Sequence, residues 1–193
     1  MMKPFGKVTS KTVAVATSNV DTDQIIPARF LTTTDRDGLG DAAFRDWRFD
    51  KEGNTLDHPI NDIDPDTHNI LIAGDNFGCG SSREHAAWAL DAFGVRAVIS
   101  SSFGDIFKSN AVKNGLLPVE VDEATLDLLL STPDRELTID LEEEEIRFGN
   151  HVVSFATEPF ARRCLLQGAD PLSVLMDAVC DIEAYERENG KAL

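Results

Sequence analysis

The residues Gly74-Asp75-Asn76-Phe77-Gly78-Cys79-Gly80-Ser81-Ser82-Arg83-Glu84-His85-Ala86 set hydroxyls, a guanidinium and a carboxylate on closely spaced glycines, a pattern suited to holding an oxyanion. Gly74, Gly78 and Gly80 allow positive φ and close backbone approach. Ser81 and Glu84 stand three apart, the spacing of a capping box, which predicts a helix capped by Ser81. The amino end of a helix favours anions, so Arg83 in that first turn opposes the macrodipole and is not there for helix stability. Free amides, two hydroxyls and a guanidinium on one spot would hold a carboxylate. The plainer alternative is a capped helix whose Arg83 makes an ordinary surface ion pair. Three other glycine motifs do not fit. A dinucleotide fingerprint needs glycine where Arg83 stands, a phosphate loop needs Gly-Lys-Ser/Thr, and a nucleophile elbow needs glycine two places either side of the serine.

Such a loop needs a strand before it and a helix after it. Asn69-Ile70-Leu71-Ile72-Ala73 is short, apolar and branched, a buried strand, and Ala86 to Gly94 carries helix formers with a glycine stop. Arg96 to Ser100 reads as a second buried strand, Gly104 to Asn114 as a helix and Leu116 to Val121 as a third strand. That alternation belongs to a parallel sheet with right-handed crossovers, in which ligands sit beyond the carboxyl ends of the strands. Gly74 to Arg83 and Ser100 to Phe103 both fall there, and Asp105 and Asn110 are candidates to line the same crevice, with capping and turn roles as the alternative.

Before this core, residues 5 to 16 suit one or two strands, and Ser18 to Pro27 is dense in Asn and Asp. Such residues build turns, and the functional alternative is that Asp23 meets the glycine loop. Residues 29 to 65 are polar and glycine-punctuated, helical only around Asp41 to Trp47, which suggests a substrate-facing loop anchored by Phe44, Trp47 and Phe49. His58 and His68 read as surface residues. After the core, Asp122 caps a helix through Leu130, and residues 136–141, 146–148 and 151–155 form an antiparallel addition with the acidic run Glu142 to Glu145 at its turn. Two helices close the chain, at 159–167 and 171–188. The second carries Leu172, Leu175, Met176, Val179 and Ile182 on one face, as core or as an interface.

The expected architecture is therefore α/β: a largely parallel central sheet, an antiparallel addition and C-terminal helices, in a single domain spanning 1–193. Hydrophobic residues make up 42% and charged ones 27%, values of a globular core under a solvated surface. The formal charge of −16 argues against nucleic acid or an anionic membrane as partner. It also means that an anionic substrate must be drawn in by local groups such as Arg83. The start of the chain lacks the apolar core of a secretion signal, so a cytoplasmic location is expected. Cys79, Cys164 and Cys180 are far apart with no Cys-x-x-Cys pair, which gives neither a disulfide framework nor an iron–sulfur or zinc ligand set. Cys79 is either a reactive thiol beside a helix amino end or a small loop filler.

At Asn19 to Pro27, Gly78 to Ala86, Phe103 to Asn110 and Asn114 to Pro118, with Phe44 to Phe49 in the long loop, the chain resembles the swivel domain of the aconitase superfamily. Within it, the chain is most similar to the small subunits of the isopropylmalate dehydratases. The resemblance implies a three-layer α/β body and a hydro-lyase that moves a hydroxyl to the neighbouring carbon by dehydration and rehydration. It implies Ser81 as the base that removes the carbon-bound proton, Asp23 as an acidic support, and Ser82 and Arg83 as holders of substrate carboxylate. It further implies that Thr32, Thr33 and Thr34 face the variable substrate group. Relatives acting on a further carboxylate carry arginine there, so threonines suit an isopropyl group, although Arg29 and Arg36 flank them. The family's [4Fe-4S] cluster finds no ligands here, so a large subunit carrying it is the expected partner, and this chain alone should be inactive. Alternatives are a small subunit for a homoaconitate or methylmalate type of acid, or a non-catalytic carboxylate-binding module. RNA binding, as in iron-responsive relatives, is opposed by the charge.

Overall fold

The computed structural model describes residues 2–31, 38–80, 83–188 and 190. In chain order, β1 (Lys7–Val15) leads through α1 (Thr22–Ile25), a 3-10 turn at Ala28–Phe30, α2 (Leu39–Ala42), α3 (Arg45–Arg48) and a second 3-10 turn at Pro59–Asp62 to β2 (Ile70–Ala73). Next, α4 (His85–Phe93), β3 (Ala97–Ser100), α5 (Asp105–Lys113), β4 (Leu117–Glu120) and α6 (Glu123–Leu130) alternate. Then come β5 (Glu136–Asp140), β6 (Glu145–Phe148) and β7 (His151–Ser154), and last α7 (Pro159–Gln167), α8 (Pro171–Asp177) and α9 (Val179–Glu188).

Among the described residues the strands form one seven-stranded sheet in the order β4-β3-β2-β1-β5-β6-β7. Strands β1 to β4 are parallel neighbours, and β5, β6 and β7 add on antiparallel, the α/β class expected from the sequence. β1 belongs to both parts. Thr12 to Val15 pair in parallel with Ile70 to Ala73, while Lys7 to Lys11 pair antiparallel with Glu136 to Asp140.

Successive side chains of a strand point to opposite faces, and here both faces are covered, so the parallel strands read as unbroken apolar runs. Leu71, Ala73 and Val98 face one buried cluster with Ala86, Ala89 and Leu90 of α4 and Phe107 and Ala111 of α5. Ile70, Ile72, Ala97 and Ile99 face another, with Leu126 and Leu129 of α6 and Leu165 of α7. Full burial of each valine, leucine or isoleucine among them stabilises the fold by about 1.5–3 kcal/mol before conformational entropy is deducted.

Three features differ from the sequence-based expectation. The helix expected over 171–188 is two helices, broken at Ala178, whose backbone sits at φ −92 and ψ 5. Its apolar stripe is not core: Leu172, Leu175, Met176 and Ile182 are 67%, 48%, 63% and 42% exposed, whereas Val174 on the other side of α8 is buried. The helical period revealed an apolar face but could not say what that face meets. His58 and His68 are half-buried rather than surface residues. His58 packs at a tilt against Trp47 with centroids 5.2 Å apart and accepts the Ile60 N–H, and His68 Nε2 lies 2.9 Å from Asp134.

The long stretch after α1 is pinned at its middle. Phe44, fully buried, donates its N–H to the Ile25 carbonyl at 2.7 Å and stacks on Trp47. Its left-handed backbone, φ 49, splits the helix expected around 41–47 into α2 and α3. Phe49 lies half-buried under the Arg45 guanidinium.

Candidate active site

The loops that follow β1, β2 and β3 continue the parallel pairing after the strands stop. The Gly74 N–H donates to the Val15 carbonyl, Asn19 N–H to Asp75, Gly78 N–H to Val20 at 2.7 Å, and Thr22 N–H to Cys79 at 2.9 Å. On the other side, Phe77 N–H donates to the Ser102 carbonyl and Gly104 N–H to that of Phe77. Three loops are thus laced edge to edge at the carboxyl ends of the strands, where open parallel sheets bind ligands.

Two glycines make the lacing possible. Gly78 has φ +74, and a Cβ there would fall 2.2 Å from Cγ of Phe107. A Cβ on Gly104 would lie 2.6 Å from the Gly78 carbonyl oxygen. Beneath them Phe77, Phe103 and Phe107 form an aromatic platform: Phe77 meets Phe107 edge-on at 5.3 Å, and Phe103 stacks on Phe107 at 6.2 Å. Aromatic pairs of this kind add about 0.5–1.5 kcal/mol each beyond their burial, which ties loop position to the core.

Asp21 and Asp23 have separate tasks. The Asp21 carboxylate caps α1, accepting from the amides of Asp23 and Gln24, and Gln24 Oε1 returns a bond to the Asp21 N–H at 2.9 Å. That box occupies Asp21 and leaves the Asp23 carboxylate free for the guanidinium of Arg83, with which it forms an ion pair across sixty residues of chain. The pair is partly exposed, 34% for the Arg83 side chain and 55% for Asp23, so it remains open to an incoming anion.

Glu84 does not stand as the third helical residue that the expected capping box requires, and Arg83 is not in a first helical turn; Ser81 lies outside the described residues. α4 begins at His85, with Glu84 itself in the capping position and making no side-chain cap. The Glu84 carboxylate instead accepts from the Asn114 amide at 2.9 Å, and Asn114 Oδ1 takes the Trp88 indole N–H at 2.8 Å. A buried asparagine at the end of α5 thus engages the Glu84 carboxylate.

The carboxylate of Asp75 gathers the hydroxyls of Ser102 at 2.6 Å and Ser101 at 2.9 Å. Bonding to Ser102, then Ser101, holds its pKa below the usual carboxylate range. Ser102 Oγ also accepts the Asn76 N–H at 3.0 Å, and the Asn76 amide donates to Asn19 Oδ1 at 2.8 Å. This polar ring escaped the sequence reading. Its signals were the run Ser100 to Ser102 and the paired asparagines beside the two loops.

Of the expected site residues, Asp23 and Arg83 come together. Ser81, Ser82, Thr32, Thr33, Thr34 and Arg36 lie outside the described residues. Arg29, flanking the threonines, donates both terminal guanidinium nitrogens to the Asp46 carboxylate, which raises the pKa of Arg29 and lowers that of Asp46. Asp105 is exposed in the first turn of α5, where an acid suits the helix dipole. Asn110 is buried, and its carbonyl accepts from the Asn114 amide. Cys79 is half-buried in the glycine loop and Cys164 is buried on α7. Among the described residues no three His, Cys, Asp or Glu side chains gather as a metal would need, so the donor set does not fit an iron–sulfur cluster. Among them, also, no helix is long and apolar enough to cross a membrane. A cleft of about 860 Å³ opens at the opposite end of the sheet, where α4, α5 and α7 terminate. Arg96 and Lys113 beside it complement those helix ends.

Comparison with known proteins agrees with this fold. Residues 2–124 match the Aconitase C-terminal domain. The 3-isopropylmalate dehydratase small subunit of Anaeromyxobacter dehalogenans is 48% identical over 187 residues, covering 96% of this chain and 98% of that protein. The protein of the same name from Herpetosiphon aurantiacus is 46% identical over 189 residues, covering 96% and 94%. The crystal structure of 3-isopropylmalate dehydratase from Methanocaldococcus jannaschii superposes with a TM-score of 0.70 at 28% identity, over 92% of this chain and 99% of that one.

Proposed function

The chain belongs to the Aconitase C-terminal domain family, among the small subunits of 3-isopropylmalate dehydratase, and from that membership we propose that it supplies the proton-abstracting half of a hydro-lyase site in leucine biosynthesis. In this reading the assembled enzyme interconverts 2- and 3-isopropylmalate through 2-isopropylmaleate, and the chain is inactive without its large subunit.

Ser81 is the base in this reading. Its alkoxide takes the carbon-bound proton of the substrate, becoming a hydroxyl, as the hydroxyl on the neighbouring carbon leaves to give 2-isopropylmaleate; on rehydration water adds at the carbon that lost the proton, and Ser81 returns its proton to the other. An alcohol is a poor base, so its anion must be favoured by the cation and amides around it. Arg83 and Ser82 hold substrate carboxylate, and Asp23 orients the Arg83 fork. The observation that carries the reading is the Arg83 to Asp23 ion pair at the carboxyl ends of the parallel strands, immediately beside Ser81 and Ser82 in sequence.

Thr32, Thr33 and Thr34 meet the isopropyl group. The [4Fe-4S] cluster implied by the family belongs to the large subunit.

The test is Ser81→Ala in the enzyme reconstituted with its large subunit, assayed by absorbance of the unsaturated intermediate. Turnover is expected to vanish while assembly and iron content stay intact. Undiminished turnover refutes Ser81 as the base.

A further inference from the structure

We propose that Asp75 is a positioning residue for the dehydration site, acting through Ser102, Asn76 and Asn19 on the loop that carries Asp23. The inference rests on the roles given above to Asp23 and Arg83.

The contacts form a closed circuit. The Asp75 carboxylate accepts from Ser102 Oγ at 2.6 Å, Ser102 Oγ accepts from the Asn76 N–H at 3.0 Å, and the Asn76 amide donates to Asn19 Oδ1 at 2.8 Å. The Asn19 N–H then returns to the Asp75 carbonyl at 2.8 Å. The circuit draws one member or more from each of the three loops, whereas each backbone bond joins only two of them. Two residues beyond Asn19, Asp21 caps α1, and the first turn of α1 holds Asp23.

The backbone indicates that the side chains at the link matter. Asn19 and Asn76 stand in the left-handed region, φ 56 and φ 57, which glycine adopts without penalty. Glycine at either position would keep the loop path and lose the amide-to-amide bond between them. Asp75 is exposed, so its carboxylate adds little to the core, and two serine hydroxyls nonetheless converge on one of its oxygens. An anion that turns both hydroxyls toward itself leaves Ser102 Oγ free to accept from Asn76, which fixes the direction of the whole circuit.

The consequence is a division of labour along the site. The backbone bonds of Gly78 to Val20 and of Thr22 to Cys79 keep the glycine loop and the Asp23 loop paired, so carboxylate capture survives loss of Asp75. What the circuit adds is the fine placing of Asp23 against the Arg83 fork. Loss of the circuit shifts Asp23 and with it the orientation of the Arg83 cation that favours the Ser81 anion, and so lowers kcat more than it raises KM, since a misplacement of about 1 Å beside a reacting centre costs on the order of a hundredfold.

Two measurements test this. On the purified chain, amide hydrogen exchange of segment 16–26 is expected to accelerate at least about tenfold in Asp75→Ala, Asn19→Gly and Asn76→Gly. It should stay within about threefold of the parent in Asp75→Asn, which keeps an acceptor oxygen. The double variant Asp75→Ala/Asn19→Gly should exchange no faster than the quicker single one, because both break one circuit. In the enzyme reconstituted with its large subunit, Asp75→Ala should lose about 10- to 100-fold in kcat with KM changed less than about threefold. Parent-like exchange in Asp75→Ala overturns the proposal, as do additive effects in the double variant, or faster exchange with kcat unchanged. Full turnover in Ser81→Ala would strike the base assignment while leaving the exchange result standing, so the two failures are distinguishable.

Discussion

Replacing Gly78 by alanine tests the interlock on which the loops are built. Alanine in the left-handed region costs about 1–2 kcal/mol. The new methyl would also stand 2.2, 2.6 and 2.7 Å from Cγ, Cδ1 and Cβ of Phe107, a fully buried ring held by two aromatic neighbours, and forcing extra volume into such a core costs about 1–3 kcal/mol more. Gly149 provides the control, because its φ is +53 and nothing lies within 4 Å of where its Cβ would be. Gly149→Ala should therefore lose only the conformational part. The difference between the two, about 1–3 kcal/mol, corresponds to roughly 2–12 °C in melting temperature for a chain of this size. Calorimetry of the purified variants reads it directly. A cycle with Phe107→Ala, which alone costs about 3–5 kcal/mol, should leave the double variant short of the sum by about 1–3 kcal/mol, because removing the ring removes the clash. Coincident melting of Gly78→Ala and Gly149→Ala, or strict additivity with Phe107→Ala, would show that the loops are not wedged against the platform.

Arg83→Lys keeps the charge but loses the planar fork, and should lower kcat/KM of the reconstituted enzyme by about a hundredfold in the absorbance assay with no change in chain stability beyond about 1 kcal/mol. Burial lowers the pKa of His58, so the unfolded chain takes up this proton first as pH falls. Stability should accordingly drop as pH falls below about 6.5, and urea titrations at pH 7 and pH 5.5 should find that drop smaller in His58→Gln. Burial also pushes the Cys164 thiol up, so iodoacetamide at pH 8 should label Cys79 before Cys164 in the native chain, as peptide mass spectrometry would record.

How much of this was legible depended on whether the determining partner was near in sequence. Ile70 to Ala73 and Ala97 to Ser100 are apolar without interruption, and such runs between helical segments leave a buried parallel sheet as the natural solution. The glycine loop and Asp23 stood out by residue type, although only the folded chain brings Asp23 to Arg83. Glu84 misled because the spacing of a cap is a local rule, and Asn114, thirty residues on, takes its carboxylate. The same applies to Asp75, whose partners Ser101 and Ser102 lie on the next loop. The break at Ala178 has no proline or glycine to announce it.

The split pairing of β1 also constrains how the protein is made. The opening strand finds its parallel neighbour once residue 73 has been synthesised, but its first half stays bare until residue 140 leaves the ribosome. Lys7 and Lys11 stand on that waiting half and keep it soluble, since charge on an open edge discourages pairing with another chain. A fragment cut at the end of the shared family region, residue 124, would expose that half permanently. The last third of the chain is therefore a seal on the first strand, and shortening the protein to its family core should produce aggregates rather than a smaller working subunit.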